Sequence, residues 1–134
     1  VTMIYGVLNV KTGDLEFINA GHNSTYILRE SGKIEIVKEV NGIPLSVMEN
    51  YPYTSVKAKL GIGDKLFVYT DGVTEAFNKN EEMYDDERLD MCIRENAKGS
   101  CGALCLNVLE SVRNFTGGFP QSDDITVLSL AYNR

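Results

Sequence analysis

The spacing of apolar residues changes once along this chain, and that change restricts the folds open to it. Before Tyr84 the apolar residues come in short runs of period two separated by turn residues, which is the pattern of β-strands. After Tyr84 the period becomes helical, with Leu89, Cys92 and Ile93 on one face, Asp85 as a candidate N-cap and Gly99 as a stop. A second helix is predicted from about Cys101 to Phe115, where Cys105, Val108, Leu109, Val112 and Phe115 form one stripe and Gly117-Gly118 ends it. The chain closes on an apolar, β-rich run from Ile125 to Tyr132, entered through Gln121-Ser122-Asp123-Asp124.

The first third reads as an antiparallel meander. Val1 to Val10 starts with no turn or cap ahead of it, as an interior strand would. Lys11-Thr12-Gly13-Asp14 turns into Leu15 to Ala20, and Ser31-Gly32-Lys33 turns a strand near Thr25 to Arg29 into one near Ile34 to Val37. Between Asn41 and Tyr53 the pattern lapses, broken by Gly42, Pro44 and Pro52, so a loop is expected there. Strands resume at about Thr54 to Leu60 and Lys65 to Thr70, joined by Gly61-Ile62-Gly63-Asp64. Both helices are expected to pack on the sheet.

At 134 residues and 43% hydrophobic, the chain suits one domain with its own core. A formal charge of -6 argues against a nucleic-acid partner, which would need clustered Lys and Arg. No apolar run approaches the roughly 20 residues of a membrane span, and no secretory leader is visible, so a cytoplasmic protein without membrane contact is expected. Cys92, Cys101 and Cys105 form neither a disulfide framework nor a CxxC pair, and their helical settings suit small buried hydrophobes.

The acids at the strand ends carry the chemistry. In LFVYTDGVTEAF, Asp71 stands where the apolar run stops, while Asp123 and Asp124 precede the closing strand. If those two strands are antiparallel neighbours, the acids meet at one edge of the sheet. Carboxylates packed so closely repel, which a raised pKa or a bound divalent cation relieves, and hard oxygen ligands favour Mg²⁺, Mn²⁺ or Ca²⁺. Gly72 leaves room beside Asp71 for an ion and its waters, and lets the backbone turn from strand to helix. Each motif taken singly also has a structural reading: Asp-Gly is a common turn, and Ser-Asp-Asp a common loop. Glu81-Glu82 and Asp85-Asp86-Glu87 read as a solvated face.

FINAGHNSTYIL, GIPLSV, LGIGDKLFVYTDGVTEAFN and SDDITVLSL, in this order, resemble the C-terminal two-thirds of the metal-dependent protein phosphatases, in particular the bacterial SpoIIE/RsbU-type subgroup of the protein phosphatase 2C-like family. The resemblance implies an α+β fold, a sandwich of two antiparallel β-sheets flanked by α-helices, with residues 1–134 a partial domain. It implies a two-metal centre of Mn²⁺ or Mg²⁺ that activates water for attack on a phosphoserine or phosphothreonine. By the same resemblance Asp71 and Asp123 are the catalytic metal ligands, Asp124 supports them, and Gly72 goes with Asp71 as a backbone element. The implied substrate is a phosphorylated anti-sigma-factor antagonist in bacterial signalling.

The sequence departs from the family pattern in two places. The N-terminal Gly-Asp-Phe-Tyr-Asp-like stretch, which supplies further metal ligands, has no counterpart, so the N-terminal part is read as missing. An open sheet edge that invites homodimerisation is then expected. Ser46 stands where relatives carry Gly after Gly-x-Pro-Leu. His22, the only histidine, is open to a general-acid role, but a locally bonded turn residue is the plainer reading. The alternative to an enzyme is a non-catalytic interaction module on the phosphatase fold; a calcium-binding β domain is a third reading.

Overall fold

The computed structural model describes residues 1–37 and 42–133. Its elements in chain order are β1 (Met3–Leu8), β2 (Asp14–Ala20), β3 (Thr25–Leu28), β4 (Ile34–Val37), β5 (Val56–Lys59), β6 (Lys65–Tyr69), α1 (Asp85–Asn96), α2 (Cys101–Thr116) and β7 (Val127–Ala131). Every strand and helix expected from periodicity is present, with ends moved by a few residues. Two sheets form, a three-stranded one in the order β1-β2-β5 and a four-stranded one containing the pairs β4-β3 and β6-β7. The chain divides into two compact units, Val1–Lys65 with Ala131–Arg134, and Leu66–Leu130.

In the first unit β2 is the central strand, paired antiparallel with β1 and β5, so that Phe17 faces Gly6 on one side and Val56 on the other. Strand alternation then sends Leu15 and Phe17 inward while Glu16 stays exposed. β3 is buried at every position. β1 leaves Met3, Tyr5 and Val7 exposed. The turn at Gly61–Asp64 is held by a charge network that periodicity does not reveal. Asp64 is buried, accepts N–H bonds from Glu30 (2.9 Å) and Gly61 (2.8 Å), and pairs with Arg29 at 2.7 Å; Arg29 also reaches Glu35 at 2.7 Å.

The loop at 42–53 contains no regular strand, as its composition predicts; Asn41 lies outside the described residues. It is laid against the turn after β2, where a Cβ on Gly21 (φ +73) would lie 2.7 Å from the Pro44 ring. Two of the phrases that carry the family resemblance, AGHN and GIPL, therefore meet. Ser46 has φ +66, a left-handed conformation that costs a residue with a Cβ about 1–2 kcal/mol. That explains why glycine suits this position. Ser46→Gly is expected to raise stability by up to about 1 kcal/mol, since part of the relieved strain is offset by a looser unfolded chain. Urea denaturation checks this, and an unchanged midpoint would show that the loop absorbs the strain.

In the second unit α1 buries Leu89, Cys92 and Ile93, as expected. Asp85 does the capping work predicted for it, its carboxylate accepting the Arg88 N–H at 3.0 Å. The stripe on α2 is rotated from the expected one: Leu104, Val108 and Val112 are buried, while Cys105, Leu109 and Phe115 are half-buried. Ser100 caps α2 through Ala103 N–H, and Gly117 closes it in the left-handed region (φ +57). Tyr84 is buried against both helices, its hydroxyl 2.7 Å from Ser111 Oγ and its ring edge-on to Phe115. Burial pushes the Cys92 thiol up from its ordinary pKa, the behaviour of a core residue and not of a nucleophile. Cys101 and Cys105 are only half-buried. Glu81, Glu82, Asp86 and Glu87 are exposed, the solvated face that their sequence suggests.

Candidate active site

β6 stops at Tyr69 and the chain turns at once. Val73 N–H donates to Thr70 O (3.0 Å), and Asp71 O accepts from Glu75 N–H (2.8 Å) and the Thr74 hydroxyl (3.2 Å). This is a closed turn and not the passage into a helix expected at Gly72; α1 begins only at Asp85. Asp71 is exposed on this turn, with Oδ1 accepting the Gly72 N–H at 3.0 Å.

The start of β7 is tied to the same place. Thr70 N–H donates to Thr126 O at 3.0 Å, and Thr126 N–H donates to the Thr70 hydroxyl at 2.9 Å. The end of β6 therefore lies beside the beginning of β7, which is the antiparallel neighbourhood that brings the acids to one edge. The space at Gly72 is used differently from expectation. A Cβ there would lie 2.5 Å from Asp124 O and 3.1 Å from Asp123 O, so the missing side chain makes room for the backbone of Asp123–Asp124 and not for an ion. Asp123 and Asp124 are both exposed, and Asp123 Oδ1 accepts the Asp124 N–H at 2.6 Å.

The donors gathered here fit a hard divalent cation in kind: carboxylate oxygens of Asp71 and Asp123 at an exposed edge, next to main-chain carbonyls. They fall short in number, since no group of three or more His, Cys, Asp or Glu side chains able to hold a metal is assembled among the described residues.

His22 sits in the turn after β2, where its backbone N–H donates to Asn19 Oδ1 (2.7 Å) and its Nδ1 lies 3.1 Å from the Thr2 hydroxyl. Asn19 is fully buried and also donates to the carbonyls of His22 (3.0 Å) and Asn23 (3.2 Å). The local turn reading of His22 accounts for these bonds. Asn19 and Thr70 are not visible as organisers from periodicity. Their one signal is position, each being a short polar residue next to or within a motif that carries charge.

The sequence model described as Stage II sporulation protein E (SpoIIE) matches residues 1–133. The chain belongs to the SpoIIE family. Among curated relatives it is 31% identical over 132 residues to Protein IcfG of Synechocystis sp. and 26% identical over 132 residues to the phosphoserine phosphatase RsbU of Bacillus subtilis. These alignments take in 98% and 97% of the chain but only 20% and 38% of the relatives, so it spans well under half of either.

Solved structures agree on the SpoIIE-family fold. The RsbU and RsbW domains of Rv1364c from Mycobacterium tuberculosis superpose with a TM-score of 0.80 at 24% identity, over 97% of this chain and 36% of that one. The Mn-presoaked phosphatase domain of SpoIIE from Bacillus subtilis gives 0.69 at 20% identity, over 98% and 56%. The α+β class with two antiparallel sheets and two helices is therefore that of SpoIIE-family phosphatase domains. No helix among the described residues is long and apolar enough to cross a membrane.

Proposed function

We propose that this chain carries one edge of the active site of a metal-dependent phosphoserine/phosphothreonine protein phosphatase, with Asp71 and Asp123 as metal ligands and Asp124 in support. The observation that carries the reading is the junction of the β6 and β7 ends, which sets these acids around the contact at Gly72. Strand ends bonded together bring the short segments that carry the acids to one place, and a cation site depends on such a fixed support. Bound Mn²⁺ or Mg²⁺ would supply a water of lowered pKa and charge stabilisation of the phosphate oxygens. Asp71 and Asp123 would hold it from an exposed edge that a phosphoprotein can reach. The name of RsbU and the Mn-presoaked SpoIIE domain support the class of reaction and of metal. The RsbW domain that accompanies an RsbU domain in Rv1364c supports a protein partner, and the substrate we propose is a phosphorylated anti-sigma-factor antagonist in the cytoplasm.

Titration with Mn²⁺, followed by electron paramagnetic resonance, tests this directly. Saturable binding is expected in the unchanged chain and is expected to be lost in both Asp71→Asn and Asp123→Asn. Binding that survives either substitution would remove that acid from the ligand set. The second reading, an interaction module that does not hydrolyse, is favoured by one observation, the short ligand count among the described residues. Release of phosphate from a phosphoserine protein separates the two: hydrolysis that depends on Asp71 and Asp123 excludes the module.

A further inference from the structure

Asp123 is exposed and lies on a segment without regular structure, yet the chain is fastened on either side of it by a side-chain hydroxyl. On one side the Ser122 hydroxyl donates to Glu75 O at 3.0 Å, tying the residue before Asp123 to the turn that carries Asp71. On the other the Thr70 hydroxyl donates to Asp124 O at 2.9 Å and accepts from Thr126 N–H at 2.9 Å, tying the residue after Asp123 to the end of β6. Both ties join the Asp71 turn to the Asp123 segment and neither uses a carboxylate oxygen. The Asp123 carboxylate keeps one oxygen outside its bond to Asp124 N–H.

We infer that Thr70 and Ser122 are positioning residues, a two-point hydroxyl clamp that sets the Asp123 carboxylate opposite Asp71 for a shared cation. The inference rests on the metal-ligand reading of those two acids. A main-chain ladder alone cannot do this, because regular pairing of β7 starts only at Val127, beyond the acids. The hydroxyls extend the pairing past the ladder's end to the residues that need a fixed place. Side chains that orient ligands without touching the metal typically change its affinity about 10–100-fold when removed.

The experiment is Mn²⁺ binding by electron paramagnetic resonance on the unchanged chain, Thr70→Val, Ser122→Ala, the conservative pair Thr70→Ser and Ser122→Thr, and the controls Asp71→Asn and Asp123→Asn, each with a thermal melt. Thr70→Val and Ser122→Ala are expected to weaken binding about tenfold or more, and the conservative pair to bind within about twofold of the unchanged chain. Thr70→Val leaves the Thr126 N–H unpaired and can lower the melting temperature; Ser122→Ala removes a bond at an exposed site and supplies the measurement with little cost in stability. If Thr70→Val and Ser122→Ala bind Mn²⁺ as the unchanged chain does while the two Asp controls lose it, the clamp is overturned and the ligand reading stands. The clamp is also overturned if the hydroxyl-retaining variants lose binding as fully as the others. Binding that is absent from the unchanged chain, or indifferent to both Asp substitutions, removes the ligand reading and the clamp with it.

Discussion

Gly72→Ala is expected to abolish Mn²⁺ binding and to destabilise the fold by about 1–3 kcal/mol, the usual cost of forcing a methyl group into filled space. The added Cβ would come within 2.5 Å of Asp124 O and 2.9 Å of its carbonyl carbon, and a backbone cannot yield as a flexible side chain does. The Asp123–Asp124 segment must move outward, which strains the Thr70 bonds to Asp124 and Thr126 and separates Asp123 from Asp71. Urea denaturation reads the stability and electron paramagnetic resonance the metal. A variant that lost stability but bound Mn²⁺ normally would show that the acids do not depend on this contact. Asp71→Asn makes the opposite comparison, since its side chain is exposed and its loss should affect binding with little change in stability.

Asp64→Ala is expected to cost about 3 kcal/mol, near the lower end of what breaking a buried ion pair costs, because Arg29 still reaches solvent and keeps Glu35. The substitution removes one of the two carboxylates that pair with Arg29 and leaves the N–H groups of Glu30 and Gly61 without their acceptor. Against a typical domain stability of about 5–15 kcal/mol this is a large fraction, on the order of 10 °C in melting temperature. Burial by itself would push the Asp64 carboxyl up, but the Arg29 guanidinium and the two N–H bonds outweigh it and hold the carboxyl below its usual range. Arg29 and Lys33 hold the Glu35 carboxyl down as well, at about 2. A depressed folded-state pKa stabilises the protein above the unfolded value and loses that contribution as pH falls. The unchanged protein should therefore lose stability between about pH 4 and pH 2. Asp64→Ala should begin weaker and show a shallower acid limb across that window. Equal acid limbs in the two proteins would mean that Asp64 is not the group responsible.

Much of the fold could be read from periodicity because burial imposes it. One buried face per strand produces alternation, as at Leu15 and Phe17, and a helix packed on one side produces the spacing of Leu89, Cys92 and Ile93. On α2 Val108 and Val112 are buried as the stripe predicts, but Leu104 takes the place of Cys105, because both are apolar and only packing decides which of two adjacent apolar residues turns inward. The Asp64 network was invisible for a different reason. Its partners, Arg29 and Glu35, are distant in sequence from Asp64, and nothing in the local pattern marks a turn aspartate as buried.

The same division applies to the candidate site. The motif phrases and their order were enough to place the chain in its phosphatase family, and the resemblance they carry nominates Asp71 and Asp123, whose position at strand ends is written in the sequence. Whether those strand ends are neighbours was not, since the order of strands in a sheet depends on pairings between distant residues. The tertiary structure alone showed that Gly72 serves a backbone contact, that Ser46 bears a left-handed φ, and that hydroxyls of Thr70 and Ser122 join the two acid-bearing segments. Hydrogen bonds and close approaches of this kind belong to pairs of atoms brought together by folding, and a linear pattern records only one member of each pair.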